Sequence, residues 1–392
     1  MQFRESVALR WATAAVVVPL VLLGAGCGGG TSGTTDAGTP AASGAALAGP
    51  DTAAATAAGT KAGQAAGAPV TLPKKTIGIL QPVQAAESGA TAQASIEAAA
   101  TAIGWETVAC DGQGDPVKIA NCANTLLARN VDAIVSIGNE PSIWNAQLRK
   151  AEAQKVPVIN TSGEVASDPA ILGSYAPNNA TQSKLLADWM VAKLKTAGDA
   201  PTISVNDFPA TWAKVRTNAV DTAAGNAQIQ VAATATTDPT NIQAGTRKTI
   251  TDQLVQQPDL KAIWFSFDVA AQSGAQAVQS RFPSQQFPDR PMVLTFGTDS
   301  GTLALMRSGA ITAVVENNMA PSNWEAIDQL AGYFARNATI AATPDDLQYG
   351  GFNLESYRIF TKDDLPASGP VTPGSDYTAF FKAKWSAEYK AS

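Results

Sequence analysis

Histidine is missing from all 392 residues, and that absence removes several chemistries together. No Ser-His-Asp hydrolase triad can be assembled. The commonest zinc ligand is gone, and so is the side chain that ordinarily titrates near neutral pH. An excess of positive charge is missing too. Lys and Arg number 27 against 33 Asp and Glu, for a net charge of −6 and a pI near 4.9, whereas a nucleic-acid partner requires a basic surface. Long apolar runs are scarce. The one strong run, residues 11–24, is short for a membrane span and is broken by Pro19. Two-carboxylate pairs of the glycosidase kind are scarce near the strand ends. No enzyme, no metal site and no cofactor is expected.

Cysteine is limited to three residues, and the first is the most informative. Arg4 and Arg10 give a positive start, the apolar run follows, and Leu22-Leu23-Gly24-Ala25-Gly26-Cys27 closes it with small residues. Charged start, short apolar core and small-residue cleavage site form an export signal. A cysteine directly after the cleavage point predicts lipidation of Cys27, although Gly24 stands where an apolar residue is usual. Residues 1–26 are therefore read as a signal peptide and the protein as extracytoplasmic, anchored to the outer face of the cell membrane. In an exported chain the remaining pair, Cys110 and Cys122, reads first as a disulfide between a strand end and the following helix, with two separately buried thiols as the alternative.

Residues 28–70 are almost entirely Gly, Ala, Thr, Ser and Pro with no apolar periodicity. Such a stretch buries too little to offset chain entropy, so 27–73 is expected to be a flexible, lipid-tethered linker with a reach of roughly 35 Å. Folding is expected from Lys74 onward. Residues 76–80, 105–110, 132–137 and 156–160 read as strands, separated by helical stretches near 92–103, 116–129 and 142–154. After a long helix over 179–195 the rhythm restarts, with strands near 202–206, 229–233, 262–266, 292–296 and 312–316. The strands are continuous apolar runs, as expected when both faces of a parallel sheet are covered. Two such units predict two similar α/β lobes with a cleft between them. Residues 366–392 form an extension whose Phe380, Phe381 and Trp385 are available to pack on the body.

Ligands of open parallel sheets bind beyond the carboxyl ends of the strands. In the first half those positions hold Gln81, Gln84, Asn139, Glu140 with Trp144 nearby, Thr161, Ser162 and Glu164. In the second half they hold Asp207, Phe208, Trp212, Arg216, Phe267, Asp268, Thr298, Asp299, Glu316 and Asn317. Amides, carboxylates and one arginine mixed with aromatics, and no nucleophile–base pair, suit a polar small molecule. Carbohydrates fit well, since their hydroxyls take hydrogen bonds and their ring faces take aromatics.

The folded part resembles the type 1 periplasmic binding proteins, in particular the ribose-binding branch. The resemblance is carried by residues 76–80 (Thr-Ile-Gly-Ile-Leu), 110–116 (Cys-Asp-Gly-Gln-Gly-Asp-Pro), 131–135 (Val-Asp-Ala-Ile-Val) and 155–159 (Lys-Val-Pro-Val-Ile). It continues through 264–268 (Trp-Phe-Ser-Phe-Asp), 296–301 (Phe-Gly-Thr-Asp-Ser-Gly) and 308–315 (Ser-Gly-Ala-Ile-Thr-Ala-Val-Val). It implies two Rossmann-like lobes with parallel sheets, joined by three crossovers near 177–179, 318–321 and 349. Lobe 1 would comprise 74–178 with 319–348, and lobe 2 would comprise 179–318 with 349–365. It places Arg216 where the family has an arginine that forks onto sugar hydroxyls, Asp299 at the aspartate after the Gly-Thr strand end, and Asn317 at an amide position. Asp268 follows Phe267, which replaces the usual asparagine. Asp299 is also placed to cap a following helix.

Two departures stand out. The early loop reads Ala85-Ala86-Glu87-Ser88-Gly89 rather than paired aromatics, and Ser162-Gly163 stands where many relatives have Asp-Arg. By the resemblance the protein is a monomer that captures a small ligand and presents it to an ABC transporter permease. A ligand-sensing partner of a membrane signalling protein is the alternative.

Overall fold

The computed structural model describes residues 49–390 apart from 199, 348, 350 and 356. The expected signal segment, Cys27 and the first part of the expected linker lie outside the described residues. In chain order, α1 (Thr52–Ala65) and β1 (Val70–Thr71) come first. Lobe 1 then builds from β2 (Thr76–Gln81), α2 (Glu87–Ala102), β3 (Glu106–Asp111), α3 (Pro116–Ala128), β4 (Ala133–Ile137), α4 (Asn145–Ala153), β5 (Val158–Thr161) and β6 (Ile171–Tyr175). Lobe 2 comprises α5 (Asn179–Leu194), β7 (Thr202–Asp207), α6 (Thr211–Asn226), β8 (Gln230–Thr236), α7 (Ile242–Gln256), β9 (Leu260–Phe265), α8 (Asp268–Arg281), β10 (Met292–Phe296), α9 (Ser300–Arg307) and β11 (Ala313–Val315). The chain returns to lobe 1 for α10 (Ala320–Arg336), to lobe 2 for β12 (Ile359–Thr361), and to lobe 1 for α11 (Tyr377–Glu388) and β13 (Tyr389–Lys390). Among the described residues no helix is long and apolar enough to cross a membrane.

Lobe 1 carries a parallel sheet in the order β3-β2-β4-β5-β6, and lobe 2 a sheet in the order β12-β11-β10-β9-β7-β8. Among the described strands only β12 runs antiparallel to its neighbour. All five residues of β4 and of β10 are buried, because helices cover both faces of each sheet. This two-lobed parallel α/β architecture is the one the strand rhythm predicts. Strand β6 was not apparent from the sequence. It is an edge strand of the sheet with Leu172 exposed, so it lacks the uninterrupted buried run of the central strands; at its middle, a Cβ on Gly173 would lie 2.7 Å from the Ala341 carbonyl oxygen. Cys110 and Cys122 are joined in a disulfide with Cα atoms 5.4 Å apart, pinning the end of β3 to the first half of α3.

The expected linker is in part a built element. Asp51 caps α1 by accepting from Ala54 N at 2.9 Å, and the Thr52 hydroxyl donates to Asp376 Oδ2 at 2.6 Å. Ala55, Gly59 and Gly63, spaced four apart and buried, form the stripe that meets α11. A Cβ on Gly59 would sit 2.0 Å from the Phe380 carbonyl oxygen, and one on Gly63 would sit 2.3 Å from that of Lys384. Backbone therefore lies directly on backbone, which only glycine allows. β1 then pairs in parallel with β13. Among the described residues, packed structure is already present in α1, ahead of the expected Lys74, and the composition concealed it because this contact is made by small residues instead of an apolar stripe.

Helix α11 sits on α10 through Phe380, Phe381 and Trp385, with Trp385 stacked on Trp324 at 5.3 Å. Asp328 of α10, itself buried, accepts from Lys384 Nζ at 2.6 Å and Trp385 Nε1 at 2.7 Å. Helix α11 of the C-terminal extension is thus part of lobe 1. Tyr349, Phe352 and Leu354 join the same cluster, whereas Tyr357 and Ile359 pack on a lobe 2 cluster, so the chain passes to lobe 2 after Leu354, later than the expected 349. The other two passages lie between β6 and α5 and between β11 and α10, close to the expected 177–179 and 318–321. The extension adds a fourth passage, 365–376, whose Leu365 and Val371 pack on lobe 2 before Asp376 caps α11.

Candidate ligand-binding cleft

The loops at the carboxyl ends of the two sheets meet across the cleft. Three strand-end loops of lobe 2 converge on Arg216. This residue lies in the second turn of α6, 5 % exposed, because α6 follows directly on β7 and turns this face toward the cleft. Its Nε donates to Asn179 Oδ1 at 2.7 Å and Nη1 donates to the Ser266 carbonyl at 2.9 Å. The guanidinium is held between two ring faces, 4.0 Å from the centroid of Phe296 and 4.9 Å from that of Trp212. Burial brings it down to about 9, and Asp268 and Glu164 oppose that shift, so it remains a cation at neutral pH.

Beside it, Asp268 at the start of α8 and Asp299 just before α9 form a hydrogen-bonded carboxyl pair. Burial raises Asp268. Burial and the adjacent Asp268 push Asp299 up to about 8. Two carboxylates in contact cannot both ionise cheaply, so at neutral pH the pair holds one proton and both donates and accepts. Asp299 occupies the helix-cap position without making a capping bond; its side chain faces Asp268 instead. Glu164 approaches from lobe 1. Its carboxyl is raised by burial, with Asn179 and Arg216 opposing.

An aromatic wall flanks these polar groups. Phe208 stacks on Trp212 at 5.6 Å and 17°, and Phe267 tilts against both at 4.7 and 5.7 Å. Opposite lies Gly163 of lobe 1, where a Cβ would stand 3.3 Å from Trp212 Cδ1. In the resembling family an arginine is usual at this place. Here the indole of Trp212 takes that space from the other lobe.

The structure thus brings together Glu164, Phe208, Trp212, Arg216, Phe267, Asp268 and Asp299. It employs other expected residues in the framework. Gln81 is fully buried and points into its own loop, donating to the Gly89 carbonyl at 2.8 Å and accepting from Val83 N. Gln84 is exposed, and its backbone N–H is held by Asp111. Asn139 donates to the Leu80 carbonyl and Ser136 Oγ while its Oδ1 lies buried without a partner. Ser162, at a positive φ of 70°, donates to Asn323 Oδ1 at 2.8 Å and so ties β5 to α10. Trp144 is core of lobe 1.

Asn317 accepts from Gln182 at 3.3 Å in the hinge. There Glu316 Oε2 also accepts from Arg358 Nε at 2.9 Å, and Asn178 N donates to Tyr357 Oη at 2.6 Å. Sequence reasoning missed Asn179 and Ser266, which orient Arg216. Asn179 reaches it as the first residue of α5, which packs on α6, and Ser266 offers its backbone carbonyl from just past β9.

Donors, acceptors and a ring-sized aromatic face at the meeting of two hinged lobes can hold a hydroxylated or otherwise polar small molecule. The same architecture recurs among solved structures. The fold is similar to a periplasmic ribose ABC transporter protein from Conexibacter woesei, with a TM-score of 0.63, 18% identity, and 76% of this chain and 94% of that one covered. It is similar to the periplasmic binding component of an arabinose ABC transporter from a Shewanella species bound to L-arabinofuranose (TM-score 0.62, 18% identity, 74% and 92% covered). A carbohydrate transporter solute-binding protein from Agrobacterium radiobacter in complex with D-arabinose aligns with a TM-score of 0.61 at 17% identity, over 76% and 97%. No curated protein matches the chain in sequence. The sequence profile described as periplasmic binding protein domain matches residues 77–337, from the second residue of β2 to the residue that ends α10, and by that match the chain belongs to the periplasmic binding protein domain family.

Proposed function

We propose that this protein captures a carbohydrate in the cleft between its lobes and presents it to an ABC transporter permease, performing no chemistry on it. The observation that carries the reading is Arg216, a buried cation fixed by Asn179 and Ser266 with the Asp268–Asp299 pair beside it and Trp212 above it. A charged fork, an acid pair that donates as well as accepts, and an aromatic face complement ring hydroxyls and a ring face together. The similar proteins described as ribose, arabinofuranose and arabinose binders support a sugar as the class. Ligand that bonds both lobes stabilises their closed arrangement by its differential affinity for it, and the permease reads that arrangement.

The start of the chain supports export and attachment to the membrane through a lipid on Cys27. Changing Cys27→Ser should release the protein from cells into the medium; retention at the membrane refutes the anchor.

The function is tested by thermal unfolding of the purified protein against pentoses, hexoses, furanoses, polyols and amino acids. A ligand at 100 times its Kd adds ~2.7 kcal/mol, a rise of about 5 °C for a chain of this size. A rise with one sugar or polyol establishes the reading. A rise with amino acids alone, or with nothing, refutes it.

A further inference from the structure

Helices α6 and α9 both start at the cleft, and neither is capped from its own lobe. Ala210 and Asp299 stand at the cap positions and make no capping bond, leaving N–H groups that need acceptors. The acceptors come from lobe 1. Glu140, in the loop after β4, accepts from Thr211 N with Oε1 at 3.2 Å, while its Oε2 is steadied by Ala166 N at 3.0 Å. Glu87, the first residue of α2, accepts from Ser300 N with Oε1 at 2.9 Å and from the Ser300 hydroxyl with Oε2. Each glutamate thus places a carboxylate on the positive end of a helix in the opposite lobe, where charge and hydrogen bonding act in the same sense.

These bonds require the lobes to be together and require no ligand. Thr211 and Ser300 are the first residues of their helices, so once the lobes part, their N–H groups have no intrahelical partner. Asp299 is the residue that would cap α9 locally, yet its carboxyl is engaged with Asp268, which leaves the Ser300 N–H to Glu87. The sites of attachment are also well separated: one joins the β4 loop to α6, the other joins α2 to α9. Two separated attachments oppose both hinge opening and twist.

We propose that Glu87 and Glu140 are positioning residues, interlobe latches that set the open–closed equilibrium of the ligand-free protein and, through it, ligand affinity without touching the ligand. Only the consequence for affinity rests on the capture reading; the latch itself is testable without ligand. Since opening breaks both attachments at once, loss of either glutamate loosens the other.

The experiment is amide hydrogen exchange at Thr211 and Ser300 in the purified, ligand-free protein, its Glu87→Ala and Glu140→Ala variants and the isosteric Glu87→Gln and Glu140→Gln variants. Small-angle scattering accompanies it. The wild type should protect both amides. Each alanine variant should speed exchange of both amides by about tenfold, the worth of one cap or charged hydrogen bond, and should raise the radius of gyration. The glutamine variants, which keep one acceptor oxygen, should fall between and answer any doubt about folding. Faster exchange at the substituted residue's own partner alone, with unchanged scattering, makes each glutamate a local cap and overturns the proposal. Unprotected amides in the wild type overturn it too. Coupled exchange together with a failed sugar screen leaves the latch standing and removes the capture reading.

Discussion

Replacing Asp299 by asparagine changes the cleft by a single titrating proton. Burial and the Asp268 carboxylate push Asp299 up to about 8, against roughly 3.9 in an unfolded chain. Between those values the folded protein holds a proton that the unfolded chain has lost. Stability from this group is therefore full below about pH 4, declines as pH rises through about 8, and is level beyond. The nominal span is ~6 kcal/mol at 1.36 kcal/mol per unit; the carboxyl is partly exposed, and screening by solvent reduces it to about 2 kcal/mol. The amide that Asp299→Asn introduces would donate to Asp268 at every pH, so the substitution keeps the bond and removes the slope. Melting temperatures of the two proteins, measured from pH 4 to 9 at constant ionic strength, should coincide near pH 4. They should separate steadily until the variant is higher by about 5 °C at pH 9. Comparing the two proteins cancels other raised carboxyls, such as Glu355 in the hinge at about 7. Parallel curves with a fixed offset refute the shared proton.

Three further outcomes are expected. Arg216→Lys keeps the charge but loses the fork onto Asn179 and Ser266, and should weaken binding of the sugar found in the thermal screen about 30-fold by calorimetric titration, some 2 kcal/mol; unchanged affinity removes Arg216 from the site. Gly59→Leu drives a side chain into the Phe380 backbone and should detach α1, read as faster proteolysis within 52–71 while both lobes keep their unfolding transition; unaltered proteolysis contradicts the close packing. Cys110→Ser with Cys122→Ser opens a loop with a sequence separation of 12 and should cost about 3 kcal/mol in urea unfolding by the chain-entropy account; no loss means the bond does not restrain the unfolded chain.

The doubly covered sheets were legible because their strands carry uninterrupted apolar runs, as in β4 and β10. The lobe 2 half of the cleft was legible for a related reason: Trp212, Arg216, Phe267, Asp268 and Asp299 follow strands closely, and strand ends in such sheets face the ligand. In lobe 1 the same rule gave Gln81 and Ser162, whose polar atoms serve the framework. The partner of Ser162, Asn323, lies 161 residues away, a distance that no local pattern reveals. Glu87 and Glu140 were visible as residues, but their bonds to α9 and α6 depend on how the lobes meet. Helix α1 was hidden because glycine against backbone leaves no hydrophobic signature, and composition alone then reads as disorder.

The docking of α1 and β1 has a mechanical consequence. Both elements touch lobe 1 through α11, α10 and β13, so any pull from the chain before Gly49 enters the molecule through lobe 1. Force does work on a hinge only if its point of application moves with the hinge coordinate, and here that point is fixed within one rigid half. A force applied through the chain before Gly49 therefore leaves the balance between open and shut lobes unchanged. If Cys27 carries the proposed anchor, lobe 2 is the half not joined to it, and protein held at a surface should bind its ligand with the same affinity as protein in solution.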